Sequence, residues 1–199
     1  MKHFSRLLTA ACIAVFSLAL FTSAAAALRS ITVNRTRVTA TSRSVIFEAS
    51  ELNTTCEVTL NGETTVTAAA KRAGTNIGVI TEGRTTNCRG AAREARVLNT
   101  AVRPIRIQYA SFAGTLPRIT SVSVTGVESE FLLNTFFGSC LYKGDVPARF
   151  SETGGGTRFN QAEFRRGAAR LVSGPCGFAP TGTITGTFSL STTLNVGLI

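Results

Sequence analysis

Apolar and polar side chains alternate with a period of two through long stretches of this chain. Near its C-terminal end Ile184, Phe188, Leu190, Leu194, Val196 and Leu198 share one parity, and Thr183, Thr185, Thr187, Ser189, Ser191, Thr193 and Asn195 hold the other. A strand with that pattern buries one face and wets the other. Ile105, Ile107 and Tyr109 repeat the pattern against Arg106 and Gln108. Branched Thr and Val fit a pleated, half-buried surface, and Gly-containing segments punctuate the runs. The pattern predicts an all-β protein of antiparallel strands, arranged as a β-sandwich. Only Ala91 to Leu98 reads as a short helix.

Two hairpins follow from the same pattern. Cys56, Val58 and Leu60 share a face, and Asn61-Gly62-Glu63 is expected to turn the chain, with Val58 opposite Val66 and Cys56 opposite Ala68. Lys143-Gly144-Asp145 is expected to do the same, with Tyr142 meeting Val146 and Cys140 meeting Ala148. Phe47 precedes Cys56 by nine residues, and Phe131 precedes Cys140 by nine. Each Cys is followed by an x-Gly-acid segment and then by a second Cys, Cys88 or Cys176. The recurrence suggests two diverged β-rich halves, 28–116 and 117–199, joined near Leu116-Pro117 and able to pack as one domain.

The first 27 residues read differently. Lys2 and Arg6 precede an apolar run from Leu7 to Phe21, and small residues Ser23 to Ala27 follow. This is the pattern of a cleaved signal peptide over 1–27, too short for a stable membrane anchor. Cys12 is a poor lipidation site, because most of the apolar run lies after it. The only His, His3, and one of five Cys, Cys12, belong to the leader. Export implies a secreted, cell-surface or periplasmic location, where Cys56, Cys88, Cys140 and Cys176 pair by default. Four Cys allow three connectivities, and the repeat favours Cys56–Cys88 with Cys140–Cys176. The pairs stand 32 and 36 positions apart, so each closure stabilises the fold by about 3.5–4 kcal/mol on loop entropy. Close C-x-x-C spacing is absent and no His remains, which argues against a metal site.

Charge adds one candidate function. Removing Lys2 and Arg6 from 21 basic residues leaves 19 against 11 acidic ones, a net charge near +8. Guanidinium groups favour phosphate or carboxylate partners. Arg106, Arg165, Arg166 and Arg170, if gathered on one outer face, would bind an anionic cell-surface polymer. Asn34-Arg35-Thr36 and Asn53-Thr54-Thr55 match the glycosylation acceptor pattern.

Catalysis finds little to work with. Without a His base, Ser-His-Asp and Cys-His systems cannot be assembled. Lys71 and Lys143 sit in no S-x-x-K motif, and Lys143 falls in an expected turn. Glu128 and Glu130 share a strand face about 6–7 Å apart, a spacing that suits a carboxylate-dependent hydrolase. A pair at a strand start after Gly126 is, however, more often a solvated edge. The Gly154-Gly155-Gly156 run lies between strand-like segments Pro147–Ser151 and Arg158–Phe164, as a hairpin loop rather than a phosphate loop. Phe131, Phe136, Phe137, Phe150, Phe159 and Phe164 are assigned to the core, leaving no aromatic platform for nucleic acid.

The reading is therefore a secreted or envelope β protein stapled by two disulfides, non-catalytic, with a binding or structural role. It calls for no cofactor, no metal, no nucleic acid and no transmembrane helix; its partner would be an anionic surface polymer or another envelope protein. The alternatives are the hydrolase and an outer-membrane β-barrel, which also combines a leader with amphipathic strands.

Overall fold

The computed structural model describes residues 30–34, 36–64, 69–70, 73–98, 102–114, 120–151 and 158–198. The expected leader at 1–27, the expected joint near residue 116 and the glycine run at 154–156 lie outside the described residues. Twelve strands and no helix account for the regular structure described. They are β1 (Ser30–Val33), β2 (Arg37–Glu48), β3 (Thr54–Thr64), β4 (Ala69–Ala70), β5 (Asn76–Gly90) and β6 (Glu94–Val97). The second set is β7 (Ile105–Ala113), β8 (Ser121–Thr135), β9 (Gly138–Ser151), β10 (Arg158–Phe164), β11 (Ala169–Ser173) and β12 (Thr181–Leu198).

All twelve belong to one antiparallel sheet, and its hydrogen-bonded path returns to its start. The circuit is β2–β3–β5–β7–β8–β9–β10–β12 and back to β2. Two columns of this ring are interrupted strands. Opposite β8, β6 covers Phe131–Asn134 and β7 covers Ser121–Val127. Opposite β9, β10 covers Ala148–Ser151 and β11 covers Leu141–Gly144. Eight columns in simple up-and-down order thus enclose one interior. Core packed between opposed walls is also what a sandwich provides, so the two-layer expectation is compatible with this ring.

The inward parity is the apolar one. Val45, Phe47, Cys56, Val58, Leu60, Val122, Val124, Phe131, Leu133, Tyr142, Ile184 and Phe188 are all buried. Outward positions on β2, β3, β5, β7 and β12 carry Thr41, Arg43, Thr59, Arg84, Arg106, Thr187 and Ser189. In β8 the parity changes at a bulge between Gly126 and Ser129. There Glu128 takes a left-handed φ of 54°, and its N–H donates to Asp145 Oδ1 at 3.0 Å. Without that extra residue, the run Phe131, Leu133 would face solvent.

Both disulfides lie at one end of the ring and have the expected pairing, Cys56–Cys88 and Cys140–Cys176. Residues of the two expected halves share one core: the Phe47 ring lies 5.8 Å from that of Phe131, which stacks on Tyr142 at 5.2 Å.

Four local expectations are corrected. Asn61-Gly62-Glu63 is not a turn, because β3 continues through it and pairs with β2 and β5. Lys143-Gly144-Asp145 is not a turn either; β9 runs straight through, and the hairpin reverses at Phe136-Phe137. In both cases the glycine serves a close backbone approach. A Cβ on Gly62 would strike the Val79 carbonyl, and one on Gly144 would strike the Ala168 backbone. Ala91 to Leu98 is not a helix, since Glu94–Val97 forms a strand whose pairing with β8 overrides the local propensity. Phe136 and Phe137 are not core residues but lie 81% and 65% exposed at the turn, while Phe131 and Phe159 are fully buried.

Candidate binding site

The ring interior is filled unequally. Toward the disulfide end, large rings close the space: Phe47, Phe131, Tyr142 and Phe188 have no exposed surface. Toward the opposite end, where β2 and β8 begin, the inward positions include Ala40, Gly62, Gly78, Ala148 and Ala162. These small residues leave a cavity of about 90 Å³. Leu60, Ile107, Val124, Phe164 and Leu190 add to its wall, Glu63 and Thr64 are its polar lining residues, and the surface it presents is almost wholly carbon. A second hollow of about 30 Å³ lies deeper, and Leu60, Ile80, Ile107, Ala148 and Phe164 line both. Phe164 is held from behind by Phe188, with ring centroids 4.6 Å apart.

A space without polar partners does not hold water well and favours an apolar occupant. Ile77, Tyr109, Val122, Phe159 and Leu194 form a packed cluster at this end, and Ile77, Val122 and Leu194 also line the cavity. Burial raises the Tyr109 phenol above its ordinary pKa, so it stays neutral. None of these side chains was singled out in the sequence as a site. The signal was present as small residues at inward parity between large ones, and it needs the strand register to be seen.

The charged residues singled out in the sequence are placed as follows. Glu128 and Glu130 lie mid-strand in β8, flanked by β7 and β9, not at a strand start or an edge. Lys143 Nζ lies 3.6 Å from Glu128 and 3.4 Å from Glu130. Arg106 approaches Glu128 at 3.8 Å. All four line an open outer cleft of about 640 Å³. Two carboxylates sharing one ammonium form an ion-pair network, whereas a hydrolytic pair keeps the space between its carboxyls for substrate and water. Arg165 bonds Glu163 at 3.0 Å, and Arg166 reaches Glu48 at 3.4 Å across from β2. Arg170 is exposed on β11, opposite Lys143 in register. Three of the four arginines expected to bind a polymer therefore have their own carboxylates. Among the described residues no group of three His, Cys, Asp or Glu is placed to hold a metal ion, and no helix is long and apolar enough to cross a membrane.

Comparison with known proteins adds no relative: no family model, no curated sequence and no solved structure matches this chain.

Proposed function

We propose that this is a non-catalytic binding protein of the cell envelope or extracellular space, whose barrel takes up a small apolar molecule. The observation that carries the reading is the 90 Å³ carbon-lined cavity in the end of the ring opposite the crosslinks. Eight-stranded rings have room for side chains or for one small ligand, and this interior is divided between the two. The wall is almost wholly carbon, with Glu63 the one ionisable residue on its lining, which supports storage or transport over turnover. Two disulfides support an oxidising compartment. The outward Thr, Ser and Arg positions are the reverse of the apolar belt that a lipid-embedded barrel needs, and so support a barrel surrounded by water.

A cavity of about 150 Å³ lined by Leu, Ile and Phe holds benzene, so the occupant here is no larger than one small ring. Thermal unfolding with added benzene tests this. At a hundredfold excess over the dissociation constant the gain is about 2.7 kcal/mol, roughly 5–10 °C for a domain of this size. Ala162→Leu, which fills the space, should abolish the shift, and naphthalene should give none. A benzene shift of the same size in Ala162→Leu, or none in the unaltered protein, would remove the cavity from the reading.

A further inference from the structure

The tip of the β8–β9 hairpin carries two adjacent phenylalanines where a tight turn ordinarily carries polar residues. Phe136 and Phe137 are 81% and 65% exposed, and Phe178, from the segment after β11, is 54% exposed. The three rings touch in sequence, with Phe136–Phe137 centroids 5.8 Å apart and Phe137–Phe178 6.0 Å apart, both edge-on. They are held rigidly. The Thr135 hydroxyl donates to the Gly138 carbonyl at 2.9 Å, and the Phe137 N–H donates to the Thr135 hydroxyl at 3.1 Å. Gly138 has a φ of 127° and packs so closely on Pro175 that a Cβ there would lie 3.1 Å from the proline ring. The Cys140–Cys176 bond fastens the base of the hairpin to the segment that carries Phe178. The result is a fixed, protruding aromatic ridge.

Its size and its charge indicate what covers it. Exposed fractions of that order on three phenylalanines amount to about 400 Å² of apolar surface, a patch of the size that is often functional. A stable dimer buries about 800 Å² per partner, twice what this convex ridge offers a second copy. The charge beside it is cationic. The Arg93 N–H donates to the Asn134 carbonyl at 2.8 Å, which places this exposed arginine beside the turn. Among the described residues no carboxylate pairs with it. Glu94 is already held by Arg96 at 2.5 Å and by the Asn134 amide at 2.8 Å. The chain carries a formal charge of +10, and near +8 without Lys2 and Arg6 of the expected leader.

We propose that the ridge docks on an anionic lipid surface, with Phe136 and Phe137 entering the acyl boundary and Arg93 meeting the headgroups. This rests on the exterior of the barrel and is independent of the cavity. The chain contains no Trp, so Phe136→Trp introduces a single fluorophore at the tip. Its emission should shift to the blue with phosphatidylcholine vesicles containing phosphatidylglycerol and stay unchanged with phosphatidylcholine alone. Co-sedimentation with the mixed vesicles should weaken about tenfold or more on Phe137→Ser, and measurably on Arg93→Glu. Both positions are exposed, so unchanged thermal unfolding confirms that the variants are folded. Unshifted emission with both vesicles would overturn the proposal, and so would equal binding to both. Concentration-dependent dimerisation that Phe137→Ser abolishes would also overturn it, in favour of a second copy as the occupant.

Discussion

The two ends of the barrel are built on one strand parity yet filled by opposite means. At the crosslinked end, aromatic rings occupy the interior, and Ala49, Leu52, Ala92 and Ala179 cap them from the connections and Ala95 from β6. Both disulfides join that layer, and the Tyr142 hydroxyl donates to the Ala179 carbonyl at 2.9 Å. At the other end the walls carry alanine and glycine at matching depth, and a void remains. Alternation decides which way a side chain points, and only its volume decides whether the interior is solid or hollow. The stiffness of one end frees the other from having to be filled.

Substitutions can break this contrast, starting with the largest effect. Phe131→Ala removes the ring between Phe47 and Tyr142 and should cost about 3–5 kcal/mol, measured by denaturant unfolding. A loss below about 1 kcal/mol would mean that this end is not the solid one. Next, an added side chain should act oppositely at the two ends. Ala95→Leu, in the filled layer where Ala95 is fully buried, should destabilise by about 1–3 kcal/mol through overpacking. Ala162→Leu should be neutral or stabilise by up to about 1 kcal/mol, as cavity-filling changes do. Equal losses in both would contradict the hollow. The smallest effects concern the two tyrosines, one at each end. Burial raises both phenols above their ordinary value of 10.0. A folded pKa above the unfolded one means that the neutral phenol is favoured by the fold. That stability is complete below pH 10 and is lost as pH rises toward the folded values. Tyr142→Phe should lessen the alkaline loss at the crosslinked end but leave the Ala179 carbonyl unpaired, at about 1–2 kcal/mol at neutral pH. Tyr109→Phe, read in the same alkaline titration of stability, should lessen the loss without the neutral-pH cost.

Legibility in the sequence followed the range of the interaction. The all-β class and the inward parity of Ile184, Phe188, Leu190 and Leu194 were readable because period-two alternation is local. The crosslinks were readable through the Phe47-to-Cys56 and Phe131-to-Cys140 spacing. The turns were misread at Gly62 and Gly144 because each glycine answers to a neighbouring strand far away in sequence, not to its own turn. Phe136 and Phe137 were misread because hydrophobicity alone does not separate a core residue from one at a hairpin tip. Closure of the ring entered only through the barrel alternative, since the β12 seam depends on long-range register. The cavity was hidden, because Ala40, Ala148 and Ala162 become neighbours only once the ring exists.

The seam between β2 and β12 sets Glu48 against Thr183, 135 positions later. Nothing nearby in the polypeptide can stand in for that final ribbon. Until it arrives, the incomplete sheet presents raw margins, at β2 on one side and β10 on the other, ready to recruit any stray strand. Assembly by such remote pairing is intrinsically slow. The hazard for this protein therefore lies less in coming apart than in the interval before it is whole.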